Sequence, residues 1–299
     1  MLVRYEAPRV DVWARPITSF DSIRRERRRG AGGGASERNS STIWSISTKL
    51  HAMWSNSFTR LDDIILPWLT SLAGRSTTFD SVIAYLPRGE QTNGALIISI
   101  FWWYWFRQSD PATVQRTREH LLCTMFAAAV GLFAARFLAL TLPFRLRPRF
   151  EPALHLVWPA TPTSLTLVDW SAFPSDHAVM FSALAVGLCF VSWRIGMAAL
   201  LFTILIVSFP RVYFGIHYPT DILAGVALGA LVAYCMNAVA VRRQLASRVL
   251  LWEHRSPQVF YVGLFIITFQ FATMFNSVRQ GARAAFLLLA AALATLSGH

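Results

Sequence analysis

Charge is what this chain has little of: of its 299 residues only 15% are Asp, Glu, Lys or Arg, while 54% are hydrophobic. That shortage excludes the one or two water-soluble domains that length alone would suggest, and leaves a polytopic membrane protein. Acid is scarcer than base, 16 residues against 28, for a formal net charge of +12. In a soluble protein that excess would point to nucleic acid. Here the arginines lie between hydrophobic runs, where anionic lipid headgroups and topology account for them, and no compact basic domain exists, so no nucleic-acid partner is expected. The three cysteines, Cys123, Cys189 and Cys235, sit inside apolar runs without paired spacing and read as small buried hydrophobes. No carboxylate cluster accompanies the histidines, so neither a metal nor another cofactor is expected.

The apolar residues come in blocks. Leu121 to Leu142, Ala178 to Trp193, Ile195 to Phe209, Ile222 to Val241 and Val259 to Phe275 are long and nearly uncharged, and Gly94 to Phe106 is shorter. The expected fold is therefore all-α, a membrane helical bundle of about six spans, with Ala284 to Leu296 as a thin seventh or an interfacial helix. Three regions follow. Residues 1–42 lack an apolar stretch long enough for a signal peptide, and Arg24, Arg25, Arg27, Arg28 and Arg29 precede a Gly-rich run, which reads as a disordered basic tail. Residues 43–92 alternate apolar and polar and suit interfacial or amphipathic helices. Residues 93–299 hold the spans, with the chemistry-bearing core at 130–243.

Alternating spans place Arg107, Arg116, Arg118, Arg194, Arg242, Arg243, Arg248 and Arg255 on one face, which the positive-inside rule makes cytoplasmic. Arg145, Arg147, His177, Arg211, His217 and Asp221 then share the opposite, outer face. A single active site requires that. The side on which the basic tail lies stays open.

Three polar clusters carry the chemistry. In Arg211-x5-His217-x3-Asp221, a helix starting near Pro219 puts the carboxylate in its first turn, able to reach back to the imidazole, fix its tautomer and leave the other nitrogen free to attack. Gly215 lets the intervening turn fold Arg211 onto the same anion. In Pro174-Ser175-Asp176-His177, Ser175 is a natural N-cap, and the free N–H groups of the first turn make an anion site beside His177. In Pro143-Phe144-Arg145-Leu146-Arg147-Pro148, prolines stop a helix and hold an extended segment, in which Arg145 and Arg147 project to one side as a phosphate pair. Taken singly, each cluster also reads structurally, as stop-transfer arginines, a capped helix or an interfacial histidine. Gly225-x3-Gly229 permits close helix packing, but small residues are common in any span, and that is the simpler reading.

Arg-x-Arg-Pro, Pro-Ser-x-His and Arg-x5-His-x3-Asp in this order resemble the signature of the type 2 phosphatidic acid phosphatase superfamily, over about Gly94 to Arg243. The resemblance implies a metal-independent membrane phosphatase in which His217 attacks phosphorus, Asp221 orients it and His177 protonates the leaving oxygen. It also implies that Arg145, Arg147, Ser175, Arg211 and the backbone N–H of Asp176 hold phosphate oxygens. The implied substrate is a membrane lipid phosphate or polyprenyl diphosphate, and the implied location a bacterial inner membrane with the site facing outward. Two positions depart from the family pattern. Leu140 stands where a Lys or Arg is usual, so Arg145 must supply that charge, and Asp176 replaces a glycine, placing a carboxylate beside the phosphate unless it points away or pairs with an arginine. The alternatives are a phosphatase for soluble esters, a haloperoxidase-like enzyme, and a non-catalytic anion-binding or transport protein. Headgroup choice is expected in the loop from Phe150 to Phe173. Oligomeric state is not encoded in any of these signals.

Overall fold

The computed structural model describes residues 60–88, 90–159, 170–276 and 281. The basic tail, residues 43–59 and the Ala284 to Leu296 stretch lie outside these. The chain divides into two compact units, Met1–Ile64 and Ile65–His299. Of the first, only residues 60–64 are described, and they are helical.

In the second unit every regular element among the described residues is helical, and the longer helices are α1 Thr77–Arg88, α2 Glu90–Phe106, α3 Pro111–Thr141, α4 Asp176–Cys189, α5 Trp193–Tyr213, α6 Pro219–Asn237, α7 Val239–Arg255 and α8 Pro257–Ala272. Local chemistry sets their ends. The Asp110 side chain accepts from Thr113 N at 3.0 Å and Pro111 opens α3, while Pro143 follows its last residues. Pro219 opens α6, capped by Asp221 accepting from Tyr218 N at 2.8 Å. Within α5 the backbone widens into a π-helix over Thr203–Ser208 just before Pro210. A proline cannot donate to the preceding turn, and the ladder shifts register there.

By length and composition three helices can cross a membrane, α3, α5 and α6, whereas α4 and α8 are apolar but only 14 and 16 residues long. The stretch carrying Arg242, Arg243, Arg248 and Arg255 forms helix α7, with Arg242, Ala246, Leu250 and Glu253 buried along one side. The main core joins α2, α3, α4 and α8 through Trp105, Leu121, Met180, Phe181, Leu184, Phe260 and Phe271. On the last turns of α3, Phe133, Phe137 and Leu140 remain outside, 78%, 67% and 81% exposed, a surface suited to lipid.

Helix directions follow from the contacts. The start of α3 meets the end of α4, where His120 stacks on Phe190, and its far end meets the start of α4, where Arg136 pairs with Asp176, so these two run antiparallel. Helices α4 and α6 run parallel and nearly touch. A Cβ on Gly225 would lie 2.8 Å from Ala178 Cβ, and one on Gly229 2.1 Å from Ser182 Oγ and 2.3 Å from the Val179 carbonyl oxygen. The glycine pair is thus a true contact surface, beyond the simpler reading of ordinary small residues. The end of α3 and the starts of α4 and α6 therefore lie at one pole.

The opposite pole is a buried polar knot. His120 Nδ1 lies 2.8 Å from Asn237 Oδ1, Arg242 Nη1 donates to His120 Nε2 at 2.7 Å, and Arg242 Nε is 3.3 Å from Glu119. Nearby, Arg118 pairs with Glu253 at 2.9 Å, and Tyr261 donates to the same carboxylate at 2.7 Å. Gly229→Val is expected to force α4 and α6 apart and cost about 2–3 kcal/mol, as overpacking does; a lowered unfolding temperature in detergent checks this, and an unchanged one would contradict the close approach.

Candidate active site

The end of α3, the start of α4, the end of α5 and the start of α6 converge, and their connecting segments are laced together by backbone. Ala172 N donates to Arg145 O at 2.9 Å, Ser175 N to Asp221 O at 3.2 Å, and Arg149 N to Gly215 O at 2.9 Å. Gly215 turns with φ +66°, and a Cβ there would lie 2.8 Å from the ring of Trp158, which belongs to the Phe150 to Phe173 loop. Only glycine fits that turn without strain. Residues 160–169 of that loop lie outside the described residues.

His217 is 6% exposed. Its Nδ1 lies 2.8 Å from the Ala172 carbonyl oxygen and 3.6 Å from Asp221 Oδ2. Both neighbours can only accept, so Nδ1 carries the proton and Nε2 keeps the lone pair. Burial pulls the His217 pKa below its ordinary value, with the Arg147 charge adding to that and the hydrogen bonding and charge of Asp221 opposing it. The ring is therefore neutral at pH 7. The sequence assigned orientation to Asp221 alone; the nearer acceptor is the carbonyl of Ala172, a backbone group with no side-chain signal.

Asp221 is completely buried and serves several partners. One oxygen accepts from Arg145 Nη1, and the other from Tyr218 N at 2.8 Å. Arg145 also donates to Thr220 Oγ1 at 2.9 Å, and its guanidinium lies 3.8 Å over the Tyr218 ring. Arg145 is thus docked on Asp221, while Leu140 points outward. Arg147 is buried, donates to the Ile216 carbonyl at 2.9 Å, and has its pKa lowered by desolvation against a raising effect of Asp221. It stays charged, since guanidinium has a very high intrinsic pKa.

Arg211 is 3% exposed, donates to the Val207 carbonyl at the π-widened turn, and accepts through its own carbonyl from Ile216 N at 2.8 Å and His217 N at 3.2 Å. With His177 it lines a narrow cleft together with Asn93, Phe181, Val207 and Met274. Ser175 takes the N-cap position of α4, yet its side chain makes no capping bond; fully buried, its Oγ finds no hydrogen-bond partner among the described residues. Asp176 pairs with Arg136, whose guanidinium lies 4.6 Å over the Trp170 ring. Arg136 escaped the sequence reading, although a lone charge inside an apolar run is itself a signal. Asn93 and Met274, far from any motif, offered none. Among the described residues no group of three or more His, Cys, Asp or Glu could hold a metal ion.

Residues 120–245 match the PAP2 superfamily. A decaprenylphosphoryl-5-phosphoribose phosphatase of Mycobacterium tuberculosis is 30% identical over 160 residues, 54% of this chain and 79% of that protein. The chain belongs to the PAP2 superfamily. Undecaprenyl-diphosphatase BcrC of Bacillus subtilis is 24% identical over 163 residues, covering 54% of this chain and 76% of the relative. A crystal structure of a transmembrane PAP2 type phosphatidylglycerolphosphate phosphatase from Bacillus subtilis aligns with a TM-score of 0.40 at 19% identity, over 66% of this chain and 92% of that one. This PAP2 protein is a membrane phosphatase, and all eight motif residues, Arg145 to Asp221, fall inside the matched region.

Because Asp221 raises the His217 pKa against burial, Asp221→Asn is expected to lower it further. An NMR titration of the histidine ring reads this directly; an upward shift would show that Asp221 is not the opposing charge.

Proposed function

We propose that this PAP2 protein removes a phosphoryl group from a lipid phosphate or polyprenyl diphosphate through a phosphohistidine on His217. The observation that carries the reading is the His217 ring, neutral, with Nδ1–H held by acceptors and Nε2 left as the lone-pair nitrogen. In the first step Nε2 forms a bond to phosphorus as the P–O bond to the leaving group breaks, and His177 donates its proton to the departing oxygen. Asp221 and the Ala172 carbonyl stabilise the charge gained by the ring. In the second, His177 takes a proton from water, the oxygen attacks phosphorus and the P–N bond breaks, returning both histidines to their starting states.

The charge on the equatorial oxygens is met by Arg145, Arg147 and Arg211, by Ser175 Oγ and by the Asp176 backbone N–H at the positive end of α4. Buried cations in a water-poor site act at low dielectric, so charge stabilisation dominates the rate. The lipid-suited flank of Phe133, Phe137 and Leu140 on α3 favours a substrate that arrives within the membrane. Both named relatives act on polyprenyl compounds, which favours a polyprenyl carrier. The proposed location is a bacterial inner membrane with the site on its outer face, a sidedness that the arginine distribution favours, with residues 93–299 as the phosphatase domain and no metal required.

Detergent-purified protein in excess chelator is expected to release phosphate from polyprenyl diphosphate or phosphatidic acid and to be inhibited by vanadate. His217→Ala should lower the rate at least about a thousandfold, as removal of a nucleophile does, and should abolish label retained on the protein after an alkaline quench. Release only from soluble esters would move the substrate class, and turnover surviving His217→Ala would end the phosphohistidine reading. The depressed His217 pKa sets a further expectation. Protonation removes the nucleophilic lone pair, so kcat/KM should fall on acidification with a midpoint below the ordinary histidine value of about 6.5; a midpoint above it would contradict the neutral buried ring.

A further inference from the structure

Arg136 lies in the apolar second half of α3, where a guanidinium is costly unless paired. Its partner, Asp176, is the first residue of α4 and the neighbour of His177. The two side chains are 34% and 14% exposed, and Arg136 is further held by the ring of Trp170, 4.6 Å from its centroid. A carboxylate in the first turn of a helix satisfies the positive end by itself and repels any other anion that approaches the same N–H groups. Asp176 therefore stands in the way of a phosphate unless its charge is cancelled.

We propose that Arg136 is a positioning residue for the substrate phosphate: by pairing with Asp176 it draws that carboxylate aside, cancels its charge and leaves the N-terminus of α4 open to the phosphoryl group. The proposal rests on the reading that phosphate binds at this helix end. It makes Arg136 act through Asp176 and not by touching substrate. Trp170 and Asp176 hold the guanidinium from two sides, so the pair is a fixed part of the site's charge balance.

The sign of the single variants separates this role from a structural one. Vanadate Ki, KM and kcat are measured for Arg136→Ala, Asp176→Asn and the double variant, all keeping the Asp176 backbone N–H. Arg136→Ala exposes a bare carboxylate and should raise Ki and KM about tenfold, a Coulomb effect discounted for partial exposure, with little change in kcat. Asp176→Asn leaves an uncompensated cation and should lower Ki about threefold by the same argument. The double variant should return to within about threefold of the parent. Should Arg136→Ala not fold, Arg136→Gln reads the same sign, and Asp176→Asn gives its own. A double variant as weak as Arg136→Ala would mean direct contact with phosphate and overturn the proposal. So would weakening by both single variants, the mark of a merely structural ion pair. A parent protein that turns over no phosphate would instead defeat the phosphatase reading on which the proposal rests.

Discussion

The structure at the active pole depends on one fully buried carboxylate. An isolated charge in such a place is costly, so Asp221 must be surrounded by donors. It receives the Arg145 guanidinium from the segment after α3, the Tyr218 N–H from the start of its own helix, and stands 3.6 Å from the His217 ring. Its backbone carbonyl takes the Ser175 N–H, which ties in α4. One residue thus fixes the order in which four chain segments can meet. The pairing of Arg145 with it follows for the same reason.

The glycine contact between α4 and α6 adds a second constraint. Because the two helices run parallel, both positive ends point to the same pole, beside Arg147 and Arg211. That concentration of positive potential is unfavourable by itself and favourable for an anion. The chain supplies its own counter-charges in the first turns of the two helices, Asp176 and Asp221. The first is paired with Arg136 and the second with Arg145.

Much of this was legible because prolines and capping residues act locally. Pro143, Ser175 and Pro219 mark the helix ends where the sequence put them, and the spacing from His217 to Asp221 needs only one helical turn to be understood. What the sequence hid was tertiary. The Ala172 carbonyl has no residue code, and the partner of Arg136 lies forty positions away. Ser175 occupies its expected place, but its hydroxyl is spent on no cap, because local propensity does not say which way a buried side chain turns. Helix α4 ends at Cys189 although the hydrophobic run continues, since Phe190 and Val191 carry an apolar sequence through a turn. Hydropathy reports burial, not helix ends, and span counting inherits that blindness.

The polar knot at the start of α3 and the ion pair near its other end also work as a ruler. His120 and Arg136 are sixteen residues apart on one continuous helix, or about 24 Å at the rise of an α-helix. A hydrocarbon core is about 30 Å thick, so these marks are closer together than its two faces. Both marks are paired within the protein, His120 with Asn237 and Arg242 and Arg136 with Asp176, so they can lie inside the apolar layer without reaching its surface.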